Sequence, residues 1–346
     1  MNEITCALCS YGMSGQVFHG PLLEAHTGFK IKKILERTRR NSEGKHPGSK
    51  IVRDYSEILE DEEIELVIVN TPDHLHHEMA LAAIEAGKHV VVEKPFTLKS
   101  EDGKDLITLA KKKGVILTVF QNRRWDGDFL TVKEIIHGGK LGRLVDFESR
   151  FDRYRTNIQS SWKDLSNHTG TLYNLGSHLI DQALHLFGMP EALFCDSRML
   201  REGARTDDSY DLFLHYPAFK CLLRSSYLVK EPLPRFTLNG VDGSYMIRGQ
   251  DPQEEAMKNG VMPGSGAWKE IKYPEGQINT SYFGSEIKGA YRTLPGNYPA
   301  FYDLLLEAVR TGSAPPVRPE EALNVVRIIE AAYESSRKQK VITFRK

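Results

Sequence analysis

Ile4-Thr5-Cys6-Ala7-Leu8-Cys9-Ser10-Tyr11-Gly12-Met13-Ser14-Gly15 decides the fold. An apolar run of strand length breaks at Ser10 into a glycine turn, and a helical pattern over 14–26 follows at once. That order builds a phosphate cradle, because the free amides at a helix start favour an anion. The dinucleotide fingerprint has glycine at three places, G-x-G-x-x-G, and Ser10 stands at the first of them. Gly12 is where backbone must approach a pyrophosphate with no Cβ in the way, and Gly15 lets helix pack closely on strand. Tyr11, Met13 and Ser14 complete the loop and join the glycines as candidate cofactor contacts.

Working outward, a second strand over 29–37 ends near Glu36, 24 residues after Gly12. An acid there accepts hydrogen bonds from an adenosine ribose. Arg37, Arg39 and Arg40 follow. A guanidinium at this place suits the 2′-phosphate of NADP, although charges after a strand also read as solvated surface. Glu36 leans the reading toward NAD, with NADP kept open. Strands over 64–70, 88–93 and 115–121 alternate with helices over 77–86 and 101–113, which Gly87 and Gly114 stop. Val90-Val91-Val92 is a β-branched run of the kind buried on both faces. The alternation predicts an α/β fold with a doubly wound parallel sheet, an NAD(P)-binding domain over 1–122.

The remainder changes character. After a helix over 128–137, residues 144–154 alternate, with Val145, Phe147, Ser149 and Phe151 on one side and charges on the other. That period of two marks a sheet with one wet face. Further strands over 210–216, 221–229, 235–238 and 245–248 succeed one another without helices, which predicts a mostly antiparallel sheet. Residues 249–297 read as a long irregular excursion, a lid or an oligomer contact. Helices over 298–310 and 319–338 close the chain.

The 346 residues suit two domains. Basic and acidic residues balance at 46 each, which argues against a protein working mainly on nucleic acid. No apolar run reaches the roughly 18 residues that a membrane helix needs, and the first residues lack a signal-peptide pattern. A cytoplasmic protein is expected. Cys6 and Cys9 form a C-x-x-C, yet they lie in a strand-like run and read as small core residues. Cys195 and Cys221 read the same way. His74, His76 and His77 cannot easily converge on one ion, so no metal is expected.

Asn70-Thr71-Pro72-Asp73-His74-Leu75-His76 and Gly87-Lys88-His89-Val90-Val91-Val92-Glu93-Lys94-Pro95 resemble the Gfo/Idh/MocA oxidoreductases, the family of glucose–fructose oxidoreductase and inositol dehydrogenase. The resemblance continues at Gln121-Asn122-Arg123-Arg124-Trp125, at Leu172-Tyr173-Asn174-Leu175-Gly176-Ser177-His178-Leu179-Ile180-Asp181, and at Gly296-Asn297-Tyr298. These blocks span nearly the whole chain. The resemblance implies a Rossmann domain followed by an α/β domain with a large open sheet over 123–346. It also implies oxidation or reduction of a sugar, sugar acid or cyclitol with NAD(P), and a homodimer or homotetramer through that sheet.

The resemblance places Asn70, Thr71, Pro72, His74, His76, Glu93, Asn122 and Arg123 beside the cofactor, while Arg124 and Trp125 read as hinge packing. Lys94 follows a buried strand, and Pro95 fixes its direction. Against a nicotinamide pocket its ammonium holds the substrate hydroxyl and stabilises negative charge on that oxygen. His178 is the candidate proton acceptor. Ser177 is expected to cap a helix through 179–187, which keeps His178 in the first turn, where the dipole disfavours its cation. Asn174 stands where the family usually has Asp, and an amide cannot take a proton. Asp181 either compensates electrostatically or simply favours the helix start. Arg153, Trp162 and Tyr173 are expected at the substrate, with Lys163 and His168 beside them. Lys94 and His178 are thus expected to converge beside a pyridine ring.

The expectation is an NAD(P)-dependent dehydrogenase or reductase acting on a secondary alcohol or ketone of a sugar or inositol. Two rivals stay open, a nucleotide-binding regulator with reduced catalysis and an NAD-dependent glycosidase-like enzyme.

Overall fold

The computed structural model describes residues 3–158, 170–282 and 284–344. The chain forms two compact units. Among the described residues no helix is long and apolar enough to cross a membrane.

The first unit comprises Met1–Trp125, Pro252–Lys272 and Asn297–Leu323. Its strands are β1 (Ile4–Leu8), β2 (Phe29–Leu35), β3 (Lys50–Val52), β4 (Leu66–Val69), β5 (His89–Val92) and β6 (Leu117–Val119). They lie in the order β3-β2-β1-β4-β5-β6, every pairing parallel. All four residues of β4 and Val90–Val92 of β5 are fully buried, as β-branched runs covered on both faces require. Strand order reverses between β1 and β4, and the crevice beyond such a reversal is where open α/β sheets bind ligands. The helix Ser100–Lys113 carries Glu101 and Asp102 in its first turn and three lysines in its last, and it stops at left-handed Gly114.

Three local expectations need correction. The helix expected over 14–26 is a π-helical turn, Gly15–His19, followed by an α-helical turn, Gly20–Glu24. β3 and the short helix Ser56–Leu59 went unread, since each is too brief to show a period. The division at 122/123 also assigns Tyr298–Arg310 to the second domain. The helix Pro299–Thr311 instead buries Phe301, Tyr302 and Leu305 in the first unit. Phe301 meets Phe120 edge-on at 4.8 Å between ring centres, and Tyr298 meets Phe18 at 6.0 Å.

The second unit comprises Asp126–Asp251, Tyr273–Gly296 and Asn324–Lys346. It holds β7 (Leu144–Arg150), β8 (Ala192–Arg198), β9 (Ser209–Tyr216), β10 (Phe219–Ser226), β11 (Phe236–Gly240), β12 (Gly243–Ile247), β13 (Gly276–Tyr282), β14 (Ser285–Tyr291) and β15 (Ile342–Thr343). Their order is β14-β13-β12-β11-β7-β10-β9-β8-β15. Only the β7–β10 pairing is parallel among them. The inner face reads with period two. Phe147, Leu212, Leu214, Leu223, Phe236, Leu238 and Tyr245 are all buried. Phe147 packs on Phe187 of the helix Ser177–Phe187 at 5.2 Å.

The irregular excursion expected over 249–297 is overturned in its second half, where β13 and β14 form an antiparallel hairpin. Its alternation was hidden because the buried positions of β13 are Gly276, Ile278 and Thr280, only one of them strongly apolar. Gly276 is required there, since a Cβ would run into the Tyr245 ring.

Candidate functional site

The first strand ends in a clasp. Ser10 and Asn70 exchange hydrogen bonds through backbone and side chain, tying the ends of β1 and β4 where the strand order reverses. Gly15 follows with no room for a side chain, because a Cβ would lie 2.7 Å from the Ser10 carbonyl oxygen and 3.0 Å from Asn70 Nδ2. Gly12 is the opposite case, with nothing within 4 Å of where its Cβ would be. The sequence therefore makes one glycine a packing necessity and leaves the other bare over open space. Met13 is half exposed at 53%.

A cleft of about 530 Å³ opens beside Gly12. Tyr11, Gly12, Glu36, Arg37, Thr71 and Pro72, candidate cofactor contacts from the sequence, line it together with Thr38, Arg39 and Arg53. Tyr11 is fixed from behind, its hydroxyl 2.8 Å from His46 Nε2, while His46 Nδ1 lies 3.2 Å from Glu24. Glu36 is turned into its own loop. Its carboxylate accepts the backbone N–H groups of Asn41 and Ser42, each at 2.8 Å, and the Ser42 hydroxyl as well. Burial alone would raise its pKa, but those donors and the Arg53 charge outweigh it and hold the carboxyl below its ordinary value.

The other expected cofactor residues divide. Asn70 is spent on the clasp. His76 is buried, with ring nitrogens 2.8 Å from the Pro95 carbonyl and 3.0 Å from the Thr71 carbonyl. It straps the Pro95 segment to the Thr71 loop that lines the cleft. His74 is exposed beside Asp73. Asn122 and Arg123 are buried in the turn Asn122–Trp125, and Arg123 pairs with Glu254 at 2.5 Å. Burial pushes Glu254 upward, and Arg123 with Lys258 overcomes it, leaving the carboxyl at about 2. Arg124 pairs with Glu321 at 2.8 Å and Trp125 meets Phe301 edge-on, which is packing as expected.

Glu93 lies at the end of β5. It accepts the Lys94 backbone N–H at 3.0 Å, the Ser14 hydroxyl and His19 Nε2 at 3.1 Å. The nucleotide loop and the lysine therefore share one carboxylate.

In the second unit the helix Ser177–Phe187 continues directly from a π-helical turn, Leu172–Gly176. Ser177 makes no cap, and its hydroxyl bonds back to the Asn174 carbonyl at 3.5 Å. His178 therefore stands well inside a continuous helix, and the dipole argument drawn from a helix start does not hold for it. Asp207 caps the true start, accepting the Leu172 N–H at 2.8 Å. Asn174 and His178, four residues apart, share one face. Asn174 donates to the Tyr227 hydroxyl at 3.2 Å, and His178 lies parallel to Phe151 at 6.4 Å. Arg153 covers the Phe151 ring at 4.6 Å. Tyr173, expected at the substrate, is instead buried against Tyr333 at 5.8 Å. Trp162, Lys163 and His168 lie outside the described residues.

The four cysteines are buried thiols, and burial raises the pKa of each. Among the described residues no cluster of His, Cys, Asp or Glu has the arrangement to hold a metal ion.

The model of an oxidoreductase family with an NAD-binding Rossmann fold matches residues 4–121, and the model of that family's C-terminal alpha/beta domain matches residues 133–344. This chain belongs to the Gfo/Idh/MocA oxidoreductase family. It is an oxidoreductase of that family. Scyllo-inositol 2-dehydrogenase (NADP(+)) IolW of Bacillus subtilis is 41% identical over 345 residues, 99% of this chain and 96% of that protein. A putative oxidoreductase from Bacteroides fragilis has a similar solved structure, with TM-score 0.92, 46% identity, and 99% and 100% of the two chains covered. The putative oxidoreductase yvaA from Bacillus subtilis matches at TM-score 0.94 and 40% identity over 99% of each chain.

Within this family fold, sequence reasoning missed His19, Tyr302, His46 and Arg53. His19 and Tyr302 gave no signal, being 283 residues apart. Arg53 stands on the unread segment after β3.

Proposed function

We propose that the protein is an NADP-dependent dehydrogenase exchanging hydride between the nicotinamide and a secondary alcohol carbon of a polyhydroxylated ring, an inositol first. The observation that carries this is the cleft at Gly12, open above a bare glycine and walled by Arg37, Arg39 and Arg53. The likeness to an NADP(+)-dependent scyllo-inositol 2-dehydrogenase supports it.

The residues present fit a dinucleotide. Open space over Gly12 and the amides of Met13 and Ser14 suit a pyrophosphate. Glu36 by itself leans toward NAD, but its carboxylate is already satisfied by Asn41 and Ser42. The neighbouring guanidinium groups suit a 2′-phosphate, which supports NADP. Thr71 and Pro72, lining the same cleft, are proposed to border the bound cofactor.

When bound, the nicotinamide supplies hydride exchange. Lys94 is proposed to hold the reacting oxygen and stabilise negative charge on it. His178 takes the hydroxyl proton in oxidation and returns it in reduction. Asn174, on the same helical face, orients a substrate hydroxyl, and Arg153 lies nearby over Phe151. Asn174 also favours a second reading, a regulator with reduced catalysis, because an amide at that position cannot take a proton or stabilise an imidazolium as a carboxylate does.

Self-association through the second sheet is proposed as well. Phe194, Phe213 and Leu222 adjoin in register on its outer face, and Phe213 is 41% exposed. Sedimentation of Phe213→Glu against the parent chain tests this.

The test of the activity is turnover of a cyclitol and aldose panel with NADP and with NAD, followed by absorbance of the reduced cofactor. An inositol oxidised with NADP preferred is expected. No turnover of any member with either cofactor would overturn the reading.

A further inference from the structure

His19 stands between a phenol and a carboxylate in the interior of the first unit. Its Nδ1 is 2.6 Å from the Tyr302 hydroxyl and its Nε2 is 3.1 Å from Glu93 Oε1. Both His19 and Tyr302 are 0% exposed. The Phe120 ring covers the imidazole at 4.4 Å, so water is replaced by apolar surface on that side. A buried imidazole is costly unless its nitrogens are bonded, and here both are.

The protons can be placed by elimination. Burial lifts the Tyr302 phenol well above its ordinary pKa, helped by Cys6 and the Glu93 charge. The phenol therefore keeps its hydrogen, and toward a neutral imidazole whose Nε2 faces the carboxylate it donates that hydrogen to Nδ1. Nε2 is then the nitrogen that carries hydrogen, and it donates to Glu93. Burial would raise Glu93, but the contact with His19, the Ser14 hydroxyl and the Lys94 charge outweigh it, and its pKa falls to about 2. The result is a directed chain, phenol to imidazole to carboxylate.

The carboxylate end is the functional end. Oε1 also accepts the Ser14 hydroxyl, in the turn between Gly12 and Gly15. Oε2 accepts the Lys94 backbone N–H at 3.0 Å. A rotation of the Glu93 carboxylate would disturb both the nucleotide turn and the lysine.

We propose that His19 and Tyr302 are positioning residues which lock the Glu93 carboxylate, and through it hold Ser14 for dinucleotide binding and Lys94 for hydride exchange. They touch neither substrate nor cofactor. The role at Lys94 rests on the function proposed above, whereas the role at Ser14 needs only dinucleotide binding.

The test uses the full chain with His19→Leu, His19→Gln and Tyr302→Phe. Gln keeps a donor toward Glu93, and Leu removes it at similar volume. NADP affinity, kcat, substrate KM and thermal unfolding are measured for each, with proton NMR of the parent protein without nucleotide. The parent is expected to show a strongly downfield, exchange-protected imidazole N–H resonance, displaced in Tyr302→Phe and absent in His19→Leu. His19→Leu is expected to bind NADP more weakly and to lose roughly tenfold to a hundredfold in kcat, with substrate KM little changed. His19→Gln, at similar thermal stability, is expected to recover most of both.

A folded His19→Leu with parental NADP affinity and kcat, or a parent without the downfield resonance, overturns the proposal. If His19→Leu does not fold, Tyr302→Phe decides, since it deletes one hydroxyl: an unmoved resonance and unchanged affinity overturn the proposal. If the parent turns over no cyclitol or aldose, the function above fails, and the NADP affinities and the resonance still decide the relay.

Discussion

Asn70 and Ser10 grip each other at both ends of the amide. Asn70 Oδ1 accepts the Ser10 N–H at 2.9 Å, Nδ2 donates to the Ser10 carbonyl at 2.9 Å, and the Ser10 hydroxyl donates to the Asn70 carbonyl at 2.7 Å. The clasp does structurally what a tight glycine turn does elsewhere, which is how a serine comes to stand at the first position of the nucleotide motif. Asn70→Ala leaves two backbone groups of Ser10 without partners, at about 1–3 kcal/mol each. Urea unfolding is expected to report a loss of roughly 2–6 kcal/mol, and titration a weaker affinity for NADP. Ser10→Gly deletes only the hydroxyl bond, about 1 kcal/mol, and should keep the affinity. Parental stability in Asn70→Ala would strip the clasp of its importance.

Arg53 donates to the carbonyls of Glu36 and Arg39, bracing the loop, while Arg37 and Arg39 line the cleft. A charge-assisted hydrogen bond to phosphate is worth about 1.5–3 kcal/mol, or roughly tenfold to a hundredfold in Kd. The double variant Arg37→Ala/Arg39→Ala should lose that much for NADP and little for NAD, measured by calorimetry. Equal losses for both nucleotides would mean that the arginines hold the loop and do not read the 2′-phosphate.

What the sequence made legible follows from where the physics is local. The β-branched runs of β4 and β5, the period of two in β7, and Gly12 with Gly15 each depend on neighbours within a few residues. The hairpin of β13 and β14 was invisible because its inner face is made by glycine and threonine beneath Tyr245. Sequence alone puts His178 in a first helical turn, because nothing in Leu172–Gly176 announces the π-helical turn that extends the helix backward. Glu36 was readable as an acid at the right distance, but not that Asn41 and Ser42 would claim it. Tyr302 reaches His19 only through folding of a segment that sequence order assigns elsewhere.

Glu254 links Arg123 to the acid sensitivity of the first unit. Its folded pKa of about 2 lies below the ordinary value near 4.3. The unfolded chain therefore binds the proton more readily, and the stabilisation is present in full above the ordinary value and lost as pH falls toward the folded one. Glu254→Gln removes the carboxylate that Arg123 pairs with at 2.5 Å, at about 3 kcal/mol. Urea unfolding at neutral pH should show that deficit, and it should shrink between pH about 4.5 and 2 as the parent loses the same interaction. A deficit that stays constant over this range would separate Glu254 from the titration.

Asn174 and His178 occupy one helical face, and Asn174 bonds the Tyr227 hydroxyl without contributing charge. Asn174→Asp puts a carboxylate at the same place, with the Tyr227 hydroxyl now donating to it, so the local packing is kept. An opposite charge one turn away favours the imidazolium, and the neutral, proton-accepting ring then forms only at higher pH. The acid limb of kcat/KM for alcohol oxidation is expected to move up by about one pH unit. Ketone reduction needs the imidazolium as donor, so its basic limb should move up as well, extending activity to higher pH. The two directions thus respond with opposite consequences at neutral pH: oxidation is slowed and reduction is helped. Limbs that stay fixed in both directions, in a folded Asn174→Asp, would detach His178 from the proton transfer and leave that step to another group.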